Sequence, residues 1–346
     1  MRDAIKWIRD ALAGRDLVEH MTHYLIRDGF AYATNGRLTA GHPFPYDGEP
    51  MLVPGESLEK VLSAVPPGRD IELSRDSSFL YVKAGRFKSK LRLIDPDLWP
   101  YESLVEKPGA WSAAPIPTGL LDAIEAVRPF ISDNATQPWA TCVGLVNGWA
   151  IATNNVSIGA RRYTDTPEQE NILLPVWAVD FLLQRIDGLE SWVWGETTVT
   201  FLWANGARVR STLVAGEFPP RALALTADAF GGSLDDDNVR AYAEESLITV
   251  TPEFRATYLR VASLTEGAEI AFYPDRIEGG KAEILRVEDE AQLVVPEGQE
   301  CSVFDPNILT PVLKVAAMWD PSTWPNPAPF LTDDGLRGIV LGRRPS

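Results

Sequence analysis

The sequence predicts an α+β protein made of three tandem domains, each with two helices packed on antiparallel sheets. The first observation behind this is an internal repeat. Ala33-Thr34-Asn35-Gly36 returns as Ala152-Thr153-Asn154-Asn155, Val53-Pro54 returns as Leu174-Pro175, and Trp99-Pro100 returns as Phe218-Pro219. All three are offset by about 120 positions, too long for a solenoid repeat and the usual size of a whole domain. The second observation is that each repeat holds helical periodicity followed by alternating, strand-like runs. The expected domains are 1–106, 107–225 and 226–346.

The elements follow in order. Ala4, Ile5, Ile8, Ala11 and Leu12 fall at helical spacing, with Gly14 as the stop. Strands are expected at 22–27 and 30–34, joined by the hairpin pair Asp28-Gly29. A helix at 56–65 ends at Pro66-Pro67, and strands follow at 70–74, 79–84 and 86–93. In the last of these Phe87, Ser89, Leu91 and Leu93 alternate with Lys88, Lys90 and Arg92, one set to each face.

The second repeat predicts helices at 117–128 and 176–186, with strands at 139–146, 149–153, 190–194, 197–203 and 207–214. Connections are expected at 106–109 and at 226–238, where Gly231-Gly232 and Asp235-Asp236-Asp237 read as a polar linker. In the third repeat Thr251 is an N-cap with Pro252 in the first turn. Strands near 268–273 and 282–287, a helix over 306–318 and a strand over 336–341 complete the chain.

Composition bounds the function. The chain has 346 residues, 45% hydrophobic and 23% charged, as in an ordinary soluble protein. No apolar run reaches the length of a membrane span and the first residues lack a signal-peptide core, so no membrane role and a cytoplasmic location are expected. Cys142 and Cys301 fall in different repeats, which argues against a disulfide framework. The net charge of −16 is uneven: −2 over 1–106, −3 over 107–225 and −11 over 226–346. A conventional nucleic-acid binder would be basic instead.

Catalytic patterns are missing. No GxSxG, P-loop, HExxH or GxGxxG occurs. His20 and His23 have metal-like spacing without further ligands, and His42 stands apart, so packing or surface roles are expected. No metal, cofactor or enzymatic activity is expected.

Several motifs, in order, carry a resemblance. Ala33-Thr34-Asn35-Gly36-Arg37-Leu38 and Ala152-Thr153-Asn154-Asn155 resemble the Ala-Thr-Asp-Gly element of the bacterial DNA polymerase III β sliding clamp. Gly216-Glu217-Phe218-Pro219 resembles that family's Gly-x-Phe-Pro, and Arg128-Pro129-Phe130-Ile131-Ser132 with Gly144 resembles a helix-to-strand passage. Phe304-Asp305-Pro306-Asn307-Ile308-Leu309 resembles the start of its last helix, and Gly338-Ile339-Val340-Leu341 its terminal strand.

The resemblance implies three DNA-clamp domains per chain, closed head to tail with a second chain into a ring. Helices would line a hole for duplex DNA, and sheets would form the outside. An acidic protein can then stay on DNA by topology, without tight phosphate binding.

The same resemblance implies three sets of site residues. Sequence-independent DNA contact would come from Lys6, Arg9, Arg15, Arg128, Arg185, Arg255, Arg260 and Lys314. A homodimer contact would join Phe87, Ser89 and Leu91 to Ser263 and Leu264 of a second copy, with Lys88, Lys90 and Arg92 facing an acidic third domain. A pocket for short apolar peptides of a DNA polymerase and a clamp loader would be lined by Thr153, Asn155, Val156, Ser157, Ile158, Leu223, Leu225, Ile339, Val340, Leu341 and Gly342. There the chain departs from the family. Asn155-Val156-Ser157 replaces Gly-His-Arg, and Gly342-Arg343-Arg344 replaces Pro-Met-Arg, so a more apolar pocket is expected. The other readings are a clamp-fold regulatory paralogue, a ring of different stoichiometry, or a β-rich viral structural or scaffold protein with duplicated domains.

Overall fold

The structure is a computed structural model that describes residues 1–15, 18–105, 113–132, 136–164, 171–265, 269–280, 287–290 and 300–343. The connection expected at 106–109, most of the strand expected at 282–287, residue 268 and Arg344 lie outside the described residues. The helices are α1 (Arg2–Ile8), α2 (Gly55–Ala64), α3 (Tyr101–Leu104), α4 (Leu120–Val127), α5 (Val176–Leu183), α6 (Pro220–Ala229), α7 (Asp236–Ser246), α8 (Pro252–Leu264) and α9 (Pro306–Val315). With the sheets below they make an α+β fold.

The chain forms two compact units by packing. Unit 1 holds residues 1–116 and 180–213, and unit 2 holds 117–179 and 214–346. Packing therefore cuts across the sequence repeat, because the second repeat sends its later strands into unit 1.

Unit 1 is organised by an eight-stranded antiparallel sheet. Its order is Met51–Pro54, His23–Arg27, Phe30–Thr34, Leu38–Pro43, Arg208–Thr212, Thr198–Trp203, Leu189–Trp194 and Ala114–Pro115. The apolar face of α1 (Ala4, Ile5 and Ile8) is buried, while Asp3, Lys6 and Arg9 stay exposed. The Asp28-Gly29 hairpin has positive φ at both residues (52° and 75°), as its two-residue turn requires. A separate three-stranded sheet runs Glu72–Arg75, Phe79–Ala84, Phe87–Arg92, which leaves Phe87–Arg92 at an edge.

Unit 2 repeats the pattern. Its eight strands run Asn171–Pro175, Cys142–Val146, Trp149–Thr153, Ser157–Arg162, Arg337–Val340, Ala328–Leu331, Met318–Trp319 and Ile248–Thr249. A four-stranded sheet orders Val287–Glu290, Arg276–Gly279, Ile270–Phe272 and Ser302–Phe304. The start of α8 is capped as its sequence implied, with Thr251 Oγ1 accepting from the Phe254 N–H at 3.1 Å. Asp305 caps α9 through the Asn307 N–H at 2.9 Å.

The repeated motif is a repeated turn. Asn35 Oδ1 accepts from the N–H groups of Arg37 and Leu38 at 3.0 and 2.9 Å, and Thr34 Oγ1 donates to the Leu38 carbonyl at 2.9 Å. In the second copy Asn154 Oδ1 accepts from Val156 and Ser157 at 3.2 and 2.8 Å, and Thr153 Oγ1 donates to the Ser157 carbonyl at 2.8 Å. The fourth motif residue takes positive φ in both copies, +83° at Gly36 and +73° at Asn155. Glycine and asparagine are the residues that tolerate this conformation.

One expectation is corrected. The stretch 226–238 is not a linker: it holds the end of α6 and the start of α7. Gly231 and Gly232, at φ 80° and 108°, break the helix between the two. Asp236 and Asp237 sit in the first turn of α7, where the helix dipole favours acidic groups. Val239 and Ala243 of α7, with Leu247 just after it, then pack with Phe230 and Leu234 into one buried cluster.

Candidate partner groove and candidate DNA-facing cations

The candidate peptide pocket is assembled at one end of two neighbouring strands of unit 2. Ile158 lies directly across from Ile339, and Ser157 across from Val340. Strand alternation sends these two pairs to opposite faces. Ile158 and Ile339 pack with Phe218 and Ala222, and Leu223 and Leu225 of α6 lie half-buried against them. Gly144 is required beneath this layer, since a Cβ there would stand 2.5 Å from the Phe218 ring.

The outer rim consists of Asn155, half-buried Val156 and Leu341, which is 39% exposed. Leu341 donates its N–H to the Val156 carbonyl at 2.8 Å, which holds the two together. Gly342 passes against Trp324, with room for no side chain: a Cβ would lie 2.1 Å from the indole. Trp324 Nε1 donates to the Arg343 carbonyl at 3.1 Å and pins the chain there. Thr153 and Ser157 are buried in the turn.

The pocket floor expected from sequence needs correction at Val340, which is fully buried on the other face of the sheet. Ile339, at 3% exposure, is likewise core. The accessible apolar surface at this end is Leu341 and Val156, with Leu223 and Leu225 at the side. A nearby cleft, missed from sequence, is bounded by Val146, Asn147, Asn171, Phe218, Pro219 and Leu223. The Phe218-Pro219 motif was its only legible sign.

The eight candidate DNA-facing cations divide by environment. Lys6, Arg15 and Lys314 are exposed. Arg9 is 66% exposed and lies 3.1 Å from Glu59, and Arg260 is 63% exposed and lies 2.5 Å from Asp289. Arg128 is half-buried where α4 ends.

Arg185 and Arg255 are engaged by the fold itself, Arg185 as a buried side chain and Arg255 as a half-buried one. The Arg185 side chain is 9% exposed and pairs with Asp10 at 2.5 Å. It donates to the Trp7 and Phe181 carbonyls at 2.9 and 3.3 Å, and its guanidinium stacks 3.8 Å over the Phe181 ring. Arg255 donates to the Leu313 and Ala316 carbonyls at 2.9 and 2.8 Å, satisfying the C-terminal end of α9.

The candidate dimer residues lie on edges and ends. Lys88, Lys90 and Arg92 are exposed on the edge strand Phe87–Arg92, where Phe87 and Ser89 are half-buried. Leu91 is 8% exposed and belongs to the core of its own unit, so it is not the free apolar contact the sequence suggested. Ser263 and Leu264 are exposed at the end of α8, Leu264 at 47%. In unit 2 the strand Val287–Glu290 is also at an edge among the described residues, and Glu288 and Glu290 are exposed.

Titration behaviour at these sites is plain. Cys142 is buried and its thiol is pushed up to about 11 by that burial. Tyr24 and Tyr32 are raised by burial above the ordinary phenol range. Among the described residues no group of His, Cys, Asp and Glu has the arrangement of a metal site. Among them, too, no helix is long and apolar enough to cross a membrane.

Two duplicated eight-stranded sheets, with paired helices on each unit, define a sliding-clamp fold, the fold of the bacterial DNA polymerase III β subunit. A Pseudomonas aeruginosa DnaN sliding clamp bound to griselimycin matches with a TM-score of 0.79 at 16% identity, over 100% of this chain and 97% of that one. The Bacillus subtilis DNA polymerase sliding clamp gives 0.78 at 18% identity, over 100% and 97%. Caulobacter crescentus pol III beta gives 0.80 at 16% identity, over 99% and 97%. No protein-family model matches the chain, and no curated protein matches it by sequence.

Proposed function

We propose that the protein is a DNA sliding clamp: a non-enzymatic, cytoplasmic processivity factor that encircles duplex DNA and tethers a DNA polymerase. The carrying observation is that the likeness to sliding clamps runs end to end, covering 99–100% of this chain and 97% of those chains. Three tandem clamp domains, 1–106, 107–225 and 226–346, pair with a second copy in a head-to-tail dimer. A heterologous contact of this kind must close on itself or polymerise. The chain offers two edges of opposite charge for it: Lys88, Lys90 and Arg92 on one, Glu288 and Glu290 on the other. Such complementarity fixes orientation.

DNA contact is weak and reads no sequence, because it goes to phosphates. Lys6, Arg9, Arg15, Arg128, Arg260 and Lys314 make it. The polymerase and the clamp loader dock short apolar peptides at Leu341, Val156, Leu223 and Leu225. The test is retention on DNA after loading. Clamps on closed circles stay, and those on linear duplex slide off the ends. Equal retention on both forms refutes topological binding, and a monomer by light scattering at micromolar concentration refutes the ring.

A further inference from the structure

One position of the repeated fold is filled twice and open once. In the second repeat the strand before α4, Ala114–Pro115, pairs antiparallel with Leu189–Trp194, the first strand after α5. Trp192 faces Ala114, and the Ile116 N–H donates to the Glu190 carbonyl at 3.0 Å. In the third repeat the strand before α8, Ile248–Thr249, pairs in the same way with Met318–Trp319, the first strand after α9. Trp319 faces Ile248, and the Val250 N–H donates to the Ala317 carbonyl at 2.8 Å.

The first repeat has the receiving strand, Glu72–Arg75, which follows α2. Leu73 faces Val82 as Trp192 faces Phe201 and Trp319 faces Phe330, so the three strands share one register. Among the described residues nothing pairs with the far side of Glu72–Arg75, and its sheet ends there. The Asp76 N–H donates to the Phe79 carbonyl at 3.0 Å, and by the same register Ser74 and Glu72 turn their main chain into the sheet. The N–H and C=O groups of Ile71, Leu73 and Arg75 therefore point out of the edge. Ile71 and Leu73 stand where Glu190 and Trp192 meet their added strand.

Beside this edge lies an open cleft of about 780 Å³, walled by Met1, Asp47, Glu49, Ile71, Leu73 and Arg75. Leu73 is half-buried, whereas Trp192 is 2% and Trp319 0% exposed under their added strands. Asp47, Glu49, Asp70, Glu72 and Asp76 outnumber Arg69, Arg75 and Lys83 around the edge. Arg75 and Lys83 are already paired, with Glu49 and Glu72.

We infer that this edge binds an extended segment of a partner protein as an added strand. The occupant alternates apolar and basic residues. Its apolar side chains cover Ile71 and Leu73, and its basic ones, on the opposite face, meet exposed Asp70 and Glu72. Main-chain hydrogen bonds supply affinity and the alternate side chains supply choice. A second copy of the chain is disfavoured, because its net charge of −16 is repelled by an acidic edge. Neither encirclement of DNA nor the groove at Leu341 enters into this binding.

The probe is acetyl-Lys-Ile-Lys-Val-Lys-amide, added to the full 346-residue chain. One comparison peptide is N-methylated at Ile and Val, which removes the donors that would face the edge. The other has glutamate in place of each lysine. The readout is hydrogen exchange at the Ile71, Leu73 and Arg75 amides, which should be fast in the free protein. At about ten times its Kd the basic peptide should slow them about tenfold. The N-methylated peptide should bind about tenfold more weakly or not at all, having lost two hydrogen bonds. The acidic peptide should give no protection. Equal protection by the N-methylated or the acidic peptide, or none by the basic peptide up to millimolar concentration, overturns the inference. Slow exchange at these amides in the free protein overturns it as well. If that protection rises with protein concentration a second copy covers the edge, and if it does not, the chain covers the edge itself.

Discussion

Replacing Arg185 by alanine should cost stability and leave DNA affinity unchanged. The guanidinium donates two hydrogen bonds to main-chain carbonyls, Trp7 at 2.9 Å and Phe181 at 3.3 Å, from a side chain that is 9% exposed. Charged donors contribute about 1.5 kcal/mol or more per bond, and the longer bond counts for less, so the pair is worth about 2 kcal/mol. The ion pair to Asp10 adds at most about 0.5 kcal/mol, because Asp10 is 51% exposed and screened. Stacking at 3.8 Å on Phe181 adds about 1 kcal/mol. The expected loss is about 3–4 kcal/mol, read as a lowered urea midpoint. Arg185→Lys should recover little of it, since an ammonium cannot span both carbonyls and stack. Lys6→Ala and Lys314→Ala should do the reverse, lowering affinity for duplex DNA at low salt with the midpoint unchanged. An R185A protein of normal stability and reduced DNA affinity would refute the assignment of Arg185 to the fold.

Three further outcomes are expected. Leu341→Asp should abolish polymerase stimulation while the dimer persists, whereas Val340→Asp should unfold unit 2, because Val340 is fully buried; stimulation intact in L341D with the ring formed would place the partner site elsewhere. A Lys88→Glu, Lys90→Glu, Arg92→Glu triple change should weaken dimerisation by about tenfold or more, with Glu288→Lys and Glu290→Lys in the partner copy restoring it; sedimentation showing an unchanged dimer in the triple variant rejects that edge. Native protein at pH about 8 should react slowly at one thiol, half-buried Cys301, whose thiol burial also pushes up, and rapidly at both thiols after denaturation, since burial holds Cys142 protonated up to about 11; two fast native thiols would contradict its burial.

The parts of the fold legible in the sequence were those fixed by local chemistry. The Asn35 and Asn154 turns need a short acceptor side chain and then a residue that accepts positive φ, so the motif survives duplication in readable form. Gly144 and Phe218 are legible together because one makes room for the other. Helix starts at Thr251 and Asp305 were readable through their caps. What stayed hidden depends on partners distant in sequence. Nothing local in Arg185 says that Trp7 and Asp10 will claim it. Val340 and Leu341 are both apolar, and only the register against Ser157 and Val156 sends one inward and leaves the other outside. The acidic, glycine-broken stretch before α8 hid a helix, because its polar outer face outweighs the three apolar residues that anchor it.

Duplication gives this chain a comparison that a single domain lacks. Positions that agree between the copies, such as the asparagine turn, answer to the backbone and would be needed by any sequence on this fold. Positions that differ under the same register answer to what covers the sheet. Thr39, Gly41 and Arg210 stand where Ile158, Ala160 and Ile339 stand in the other copy. The second set is covered by α6 and its neighbours, and is accordingly apolar. The first set pairs hydroxyls and guanidinium groups around a small cavity. Polar groups persist in such a place only where something polar meets them, because an unmet one costs about 1–3 kcal/mol of desolvation. The divergence between the sheets therefore follows the chemistry of what meets them: an apolar helix face on one, and on the other polar groups of unit 1 itself, with Arg208 on the Tyr32 hydroxyl, Arg210 on the Ser103 carbonyl and Thr39 beside the Thr34 hydroxyl.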